Sequence, residues 1–229
     1  FIARFTVDSR PEVATWSQGS VYTEINGNFV WDPEGQDNDY TNRDFVYNFG
    51  EITDAYFVGN FASGAVSSGF DKLGAYGRFN GVYQFFLDTD DDGVGDLVPS
   101  MFYQVNAIPV AGNFFGPDGE NVPAGQRPRD EIGAYDGQHW YLDTNGNNRI
   151  DNGERFSTNL LGVPFVGDFN GDGFDDLATY NNNDGEFQFD LNRDGNVDDT
   201  ITFGFPGFGD KPIAGDFNLD GIDDIGLWV

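Results

Sequence analysis

Short alternations of apolar and polar residues recur along the whole chain. Phe187-Gln188-Phe189, Thr200-Ile201-Thr202-Phe203 and Val82-Tyr83-Gln84-Phe85 each place apolar side chains on one face of an extended segment. Clusters of Gly, Asn and Asp close each run, as turn-forming residues do. No stretch combines a helical period with caps. The pattern predicts an all-β chain of short strands.

The strands belong to a repeat. Residues 166–180 (VGDFNGDGFDDLATY) and 214–228 (AGDFNLDGIDDIGLW) align without a gap. Looser copies run over Ile2–Trp16, Phe57–Tyr76 and Val110–Tyr135. The anchoring Phe falls at 5, 61, 114, 169 and 217, and the closing aromatic at 16, 76, 135, 180 and 228. A second half follows four of these, around Phe29–Phe49, Tyr83–Tyr103, Trp140–Leu161 and Phe187–Phe203. Steps of 48 to 56 residues, each holding about four short strands, match a propeller blade. The expectation is one β-propeller domain over 1–229, of about four to five four-stranded blades. Its units run approximately 1–55, 56–108, 109–163 and 164–211, with a half unit at 212–229. Five first halves against four second halves leave the terminal blade incomplete within the chain. Trimmed ends and a deliberately open blade both fit that tally. An open blade exposes a sheet edge that can accept strands from a neighbour, or donate its own, and so build a head-to-tail filament or surface assembly.

Charge narrows the function. The 229 residues carry 11 Lys+Arg against 39 Asp+Glu, a net charge of −28. No basic footprint exists for a phosphate backbone, so nucleic acid is excluded as a partner. No apolar run is long enough for a membrane-spanning helix. The absence of Cys removes thiol catalysis, disulfides and thiolate metal sites. The one His, His139, sits in a turn leading into a strand and leaves no triad or His-rich metal site. Disorder is unlike a chain with 24 Phe, 10 Tyr and 4 Trp.

Most of the clustered acid falls in five loops with Asp or Asn at the first, third, fifth and ninth places. They are Asp88-Asp90-Asp92-Asp96, Asp143-Asn145-Asn147-Asp151, Asp168-Asn170-Asp172-Asp176, Asp190-Asn192-Asp194-Asp198 and Asp216-Asn218-Asp220-Asp224. Calcium takes about 6–8 oxygens at roughly 2.3–2.6 Å, and alternate short side chains on a curled loop supply them. The seventh-place carbonyls of Val94, Arg149, Phe174, Asn196 and Ile222 would add an oxygen each, and Glu154 stands at the twelfth place of the second loop. Turn propensity alone asks for one or two such residues, not for four fixed offsets five times over. About five Ca²⁺ would bring the charge from −28 to −18. Degenerate copies are expected to differ. Arg4 faces Asp8 and Glu12 where an ion would sit, and Lys72 replaces the ninth ligand of the second unit. The loops Asn113–Glu131 and Asp32–Asp44 stay open as metal sites.

The segments GDFNGDGFDDLATY and GDFNLDGIDDIGLW resemble FG-GAP/VCBS-type repeats, the calcium-binding repeats of integrin-alpha-like β-propellers. The likeness weakens toward the N-terminus. It implies a propeller whose first interstrand loop holds calcium, here on Asp168, Asn170, Asp172 and Asp176 and on Asp216, Asn218, Asp220 and Asp224. It also implies extracellular placement and an adhesive or structural role, without fixing a ligand; the lack of a Ser-His-Asp order, an HExxH or a phosphate-cradling Gly loop separately argues against catalysis. The loops at Asp88, Asp143 and Asp190 rest on spacing alone. Partners expected are another protein or identical subunits. A lectin-like module, with Trp16, Trp31, Trp140 and Trp228 available to stack on sugars, is the alternative; Trp16 and Trp228 hold a repeat position that suits packing, and Trp140 is the better surface candidate although a core place suits it more. A polysaccharide-active enzyme using two carboxylates is a weaker one, because the loops already account for the clustered acid.

Overall fold

The computed structural model describes residues 2–3, 5, 12–17, 20–24, 45–49, 54–62, 68–90, 92–115, 128–207 and 209–228. Within them every regular element is a β-strand, and no helix occurs. The first sheet holds β1 (Ile2–Ala3), β2 (Glu12–Ser17), β3 (Ser20–Glu24) and β4 (Phe45–Asn48) in chain order. The second holds β5 (Ala55–Gly59), β6 (Lys72–Phe79) and β7 (Val82–Leu87). A two-residue strand β8 (Ser100–Met101) follows. The third sheet orders β9 (Ile108–Gly112), β10 (Glu131–Tyr135), β11 (His139–Leu142) and β13 (Arg155–Ser157); the intervening β12 (Arg149–Ile150) pairs parallel with β8 and ties the second unit to the third. The fourth runs β14 (Val163–Gly167), β15 (Asp176–Asn181), β16 (Glu186–Asp190) and β17 (Asp199–Thr202). The fifth has β18 (Lys211–Gly215) and β19 (Asp224–Trp228). All pairings within these five sheets are antiparallel, and all but β11 with β13 join strands consecutive in the chain.

The sheets pack face to face, and each interface is apolar. Ala14, Val21 and Phe49 of the first unit meet Leu73 and Ala75 of the second. Phe57, Phe61, Phe85 and Leu87 meet Ile132, Ala134 and Tyr141 of the third. Val110, Phe114 and Trp140 meet Leu177 of the fourth, and Phe165, Ala178 and Phe187 meet Ala214, Ile225 and Leu227 of the fifth. The leading strands lie side by side in succession: β5 with β9, β9 with β14, β14 with β18, and β18 with β1.

Burial follows strand position. The second strands β10 and β15 are buried along nearly their whole length, because a neighbouring sheet covers each face. Small residues make that possible. A Cβ on Gly133 would lie 2.8 Å from both Leu142 and Val110. The outer strand β17 is exposed throughout. Alternation expected at Phe187-Gln188-Phe189 is seen directly, with both Phe buried and Gln188 half-buried.

Candidate metal-binding loops

Each of the five acidic loops joins two strands of one sheet or leaves a third strand, and four of them curl in the same way. The first-place carboxylate accepts amides from inside the loop. Asp168 takes Gly171 (2.7 Å), Asp172 (3.1 Å) and Gly173 (2.9 Å). Asp190 takes Asp194 (3.1 Å) and Gly195 (2.8 Å), and Asp216 takes Asp220 (3.0 Å) and Gly221 (2.9 Å). Asp88 takes Asp90 (3.1 Å) and Gly93 (2.9 Å). The fifth-place carboxylate accepts the seventh amide: Val94 on Asp92, Phe174 on Asp172, Asn196 on Asp194 and Ile222 on Asp220. The ninth-place carboxylate reaches back to the second amide: Thr89 on Asp96, Phe169 on Asp176, Leu191 on Asp198 and Phe217 on Asp224.

The curl needs left-handed backbone. At the sixth place Gly93, Gly173, Gly195 and Gly221 have φ between 81 and 89°, which glycine adopts without steric cost. In the loops from Asp168, Asp190 and Asp216 the fourth place is also left-handed: Gly171 stands there in the first, and Arg193 (φ 57°) and Leu219 (φ 64°) hold it in the others without being glycine. Spacing alone pointed to the sixth-place turn but not to this second one.

The loop at Asp143 departs from the others. Asp143 still gathers the amides of Asn147 and Arg149. The second amide, Thr144, goes to Glu154 Oε1 at 2.9 Å instead of to Asp151. Asn145 Nδ2 and the Asp151 amide also donate to Glu154. Asp151 is engaged by the Arg149 guanidinium at 2.7 Å and by Asn147 Nδ2. The twelfth-place Glu therefore takes the closing role that the ninth-place Asp has elsewhere.

These donor sets are all oxygen, which suits a hard cation. Asp88, Asp90 and Asp96 bring one oxygen each within 4.8 Å of one another, and this acidic group could hold a metal ion. It is the group of three acidic side chains at that spacing among the described residues. The other four loops have Asn at the third place and so present fewer carboxylates. Their charge is still unbalanced. Burial raises Asp176 to about 7, with the negative charges of Asp172 and Asp168 adding to it against the Phe169 amide. Burial likewise raises Asp143, with Glu154 adding, and Asp190, with Asp194 adding.

The degenerate units use side chains differently. Lys72, buried at the ninth place of the second unit, donates to Ser68 Oγ and to the Phe70 carbonyl, both at 2.7 Å. In the third unit Glu131 accepts the Phe114 and Phe115 amides at 3.0 and 2.9 Å, with the Arg129 guanidinium 3.5 Å away. Arg4, Asp8, Asp118 and the acidic stretch Asp32–Asp44 lie outside the described residues, as does the side chain of Glu12. His139 is held between Asp136 and Arg155. Trp140 is fully buried against Tyr135 and offers no face to a sugar.

One set of residues escaped the spacing argument. The Asp one place before the ninth ligand reaches the preceding sheet. Asp130, Asp175 and Asp223 accept the amides of Asn60, Asn113 and Asp168 at 2.8, 3.0 and 2.9 Å. Their own amides return to the carbonyls of the same three residues at 3.2, 3.1 and 2.9 Å. The preceding glycine makes room. A Cβ on Gly112 or Gly167 would lie 2.5 or 2.7 Å from the incoming carboxylate of Asp175 or Asp223. The doublets Asp175-Asp176 and Asp223-Asp224 were the available signal: one carboxylate closes the loop, its neighbour clamps the next sheet. Asp175→Ala should therefore cost about 1–3 kcal/mol, the penalty for orphaning the Asn113 amide. Urea unfolding reads this, and calcium stoichiometry should stay unchanged because Asp175 closes no loop. A scan against protein-family models and a search of curated proteins gave no match to this chain.

Proposed function

We propose that the chain is a calcium-stabilised β-propeller module with an extracellular structural or adhesive role and no catalytic one. The loops support this reading: four share one hydrogen-bonded curl, and in one of them Asp88, Asp90 and Asp96 bring oxygens within 4.8 Å of one another, with an acidic excess that a divalent cation would neutralise. The FG-GAP/VCBS resemblance of residues 166–180 and 214–228 points the same way. Side-by-side leading strands support the propeller arrangement, each sheet being one blade. Extracellular calcium, at millimolar levels, matches loops built mainly from Asp and Asn without a bidentate Glu in most copies.

Isothermal titration of chelator-stripped protein tests the reading. The expected result is about five calcium ions per chain, with magnesium binding more weakly because it favours a smaller octahedral shell. Absence of calcium uptake would refute the proposal. Uptake of one ion, abolished by Asp88→Ala, would confine it to the first loop.

A further inference from the structure

In the fourth unit both acidic loops keep the full Asp/Asn spacing, from Asp168 and from Asp190, whereas the second, third and fifth units keep one each. The loop from Asp168 joins β14 to β15 and the loop from Asp190 joins β16 to β17. β15 and β16 are neighbours, and Asp190 stands opposite Leu177, the residue after the ninth-place Asp176. Antiparallel pairing thus brings the two curls side by side at one end of the sheet.

Two side chains tie one curl to the other. Asn170, at the third place of the first loop, donates from Nδ2 to the Leu191 carbonyl at 3.1 Å and to Asp176 Oδ1 at 3.2 Å. Its Oδ1 faces its own loop, where it accepts the Asp172 amide at 2.8 Å. Leu191 is the residue whose amide closes the second loop, by donating to Asp198 at 2.8 Å. The curl of the second loop therefore fixes the carbonyl that orients a third-place side chain of the first. Arg193 reaches across as well. It holds the fourth place of the second loop in left-handed backbone, at φ 57°, which is uncommon for a residue with a Cβ. Its guanidinium lies 4.8 Å from the ring centroid of Phe174, the seventh residue of the first loop, and donates to the Phe114 carbonyl at 2.8 Å.

We infer that the curls from Asp168 and Asp190 order as one unit, so that an ion in either loop raises the affinity of the other. Holding Asn170 and Phe174 in place costs conformational entropy, and a neighbouring curl that is already closed has met that cost. The coupling is reciprocal by linkage. Repulsion between two bound cations opposes it and is screened by salt. Asn170→Asp separates the two effects. It keeps an oxygen at the third place, as Asp90 does in the loop from Asp88, and removes the donor to Leu191. The affinity part of the inference rests on the calcium reading; the joint ordering does not.

Amide NMR of the full chain at physiological salt makes the test. In a calcium titration Gly173 reports the first loop and Gly195 the second, because Asp168 and Asp190 hold their amides. Asp194→Ala should abolish the Gly195 response and raise the Gly173 midpoint at least about fivefold, the low end of ordinary coupling. In the Asn170→Asp background the same change should move the Gly173 midpoint by less than about twofold. An unmoved Gly173 midpoint in the first background, or an equal move in both, would overturn the inference. Asp194→Asn, which keeps an acceptor for the Asn196 amide, replaces the Ala variant if that does not fold. Hydrogen exchange in EDTA needs no ion. There Asp194→Ala should speed exchange of the Gly173 amide at least about fivefold, and no further in the Asn170→Asp background. Unchanged exchange at Gly173 would sink the joint ordering. Coupled exchange without any calcium shift would sink the calcium reading alone; calcium shifts at unlinked midpoints would sink the coupling alone.

Discussion

Stripping calcium with EDTA should lower the midpoint of thermal unfolding by about 20 °C or more. An ion bound only by the folded state at a hundred times its Kd contributes about 2.7 kcal/mol. Five such loops together approach the whole stability of an ordinary domain, roughly 5–15 kcal/mol. For a chain of this size 1 kcal/mol moves the midpoint by about 2–4 °C. The physical cause is local. Each loop gathers carboxylates around backbone amides on a tight curl, and like charges are held close: Asp176 feels both Asp168 and Asp172. The ion removes that repulsion and adds its own bonds. A melt that ignores EDTA would mean that amide hydrogen bonds alone hold the loops. Calorimetry at two calcium concentrations makes the measurement, with the midpoint rising with free calcium if the coupling is by mass action.

The second large effect is a reversal of pH dependence. Without calcium, Asp176 has a folded-state pKa of about 7 against an ordinary value of 3.8. Between those values the folded chain holds a proton that the unfolded chain has released. Stability then falls as pH rises from about 4 to about 7, because the native state binds more protons. At about 1.4 kcal/mol per unit the Asp176 contribution is on the order of 4 kcal/mol as an upper bound. Asp143 and Asp190 are raised for the same reason, burial, and act in the same direction. With calcium bound, protons compete with the ion for these oxygens. Stability should then rise as pH increases through the carboxylate range and level off near neutrality. Urea midpoints at pH 5 and pH 7, with and without calcium, give four numbers. The apo protein should be the more stable at pH 5 and the loaded protein at pH 7. Asp176→Asn should flatten the apo slope. Parallel slopes in both conditions would show that these carboxylates do not bind the ion.

Much of the loop geometry was legible because it is local. The bonds from Asp168 to Gly171, Asp172 and Gly173 span at most five residues. A spacing rule captures such a curl, since a short side chain can reach only so far along its own backbone. The exchange of roles between Asp151 and Glu154 was not legible. Both lie within reach of Thr144, and the choice follows from Arg149 engaging Asp151.

By itself, the sequence determined the strands, the repeat and the acidic curls. Alternation selects extended backbone, Gly and Asn permit left-handed turns, and carboxylates at fixed offsets can meet only if the loop closes. Packing between sheets sets which carboxylates clamp one sheet to the next. Asp175 and Asp223 each stand one place before an expected ligand and had no role in the spacing, yet they bind amides 62 and 55 residues away. It also decided that Trp228 is bare while Tyr180, at the same place in the repeat, is buried. The reason is common to both. A side chain's own segment fixes its direction, but what it meets depends on the neighbouring sheet, which no local spacing encodes.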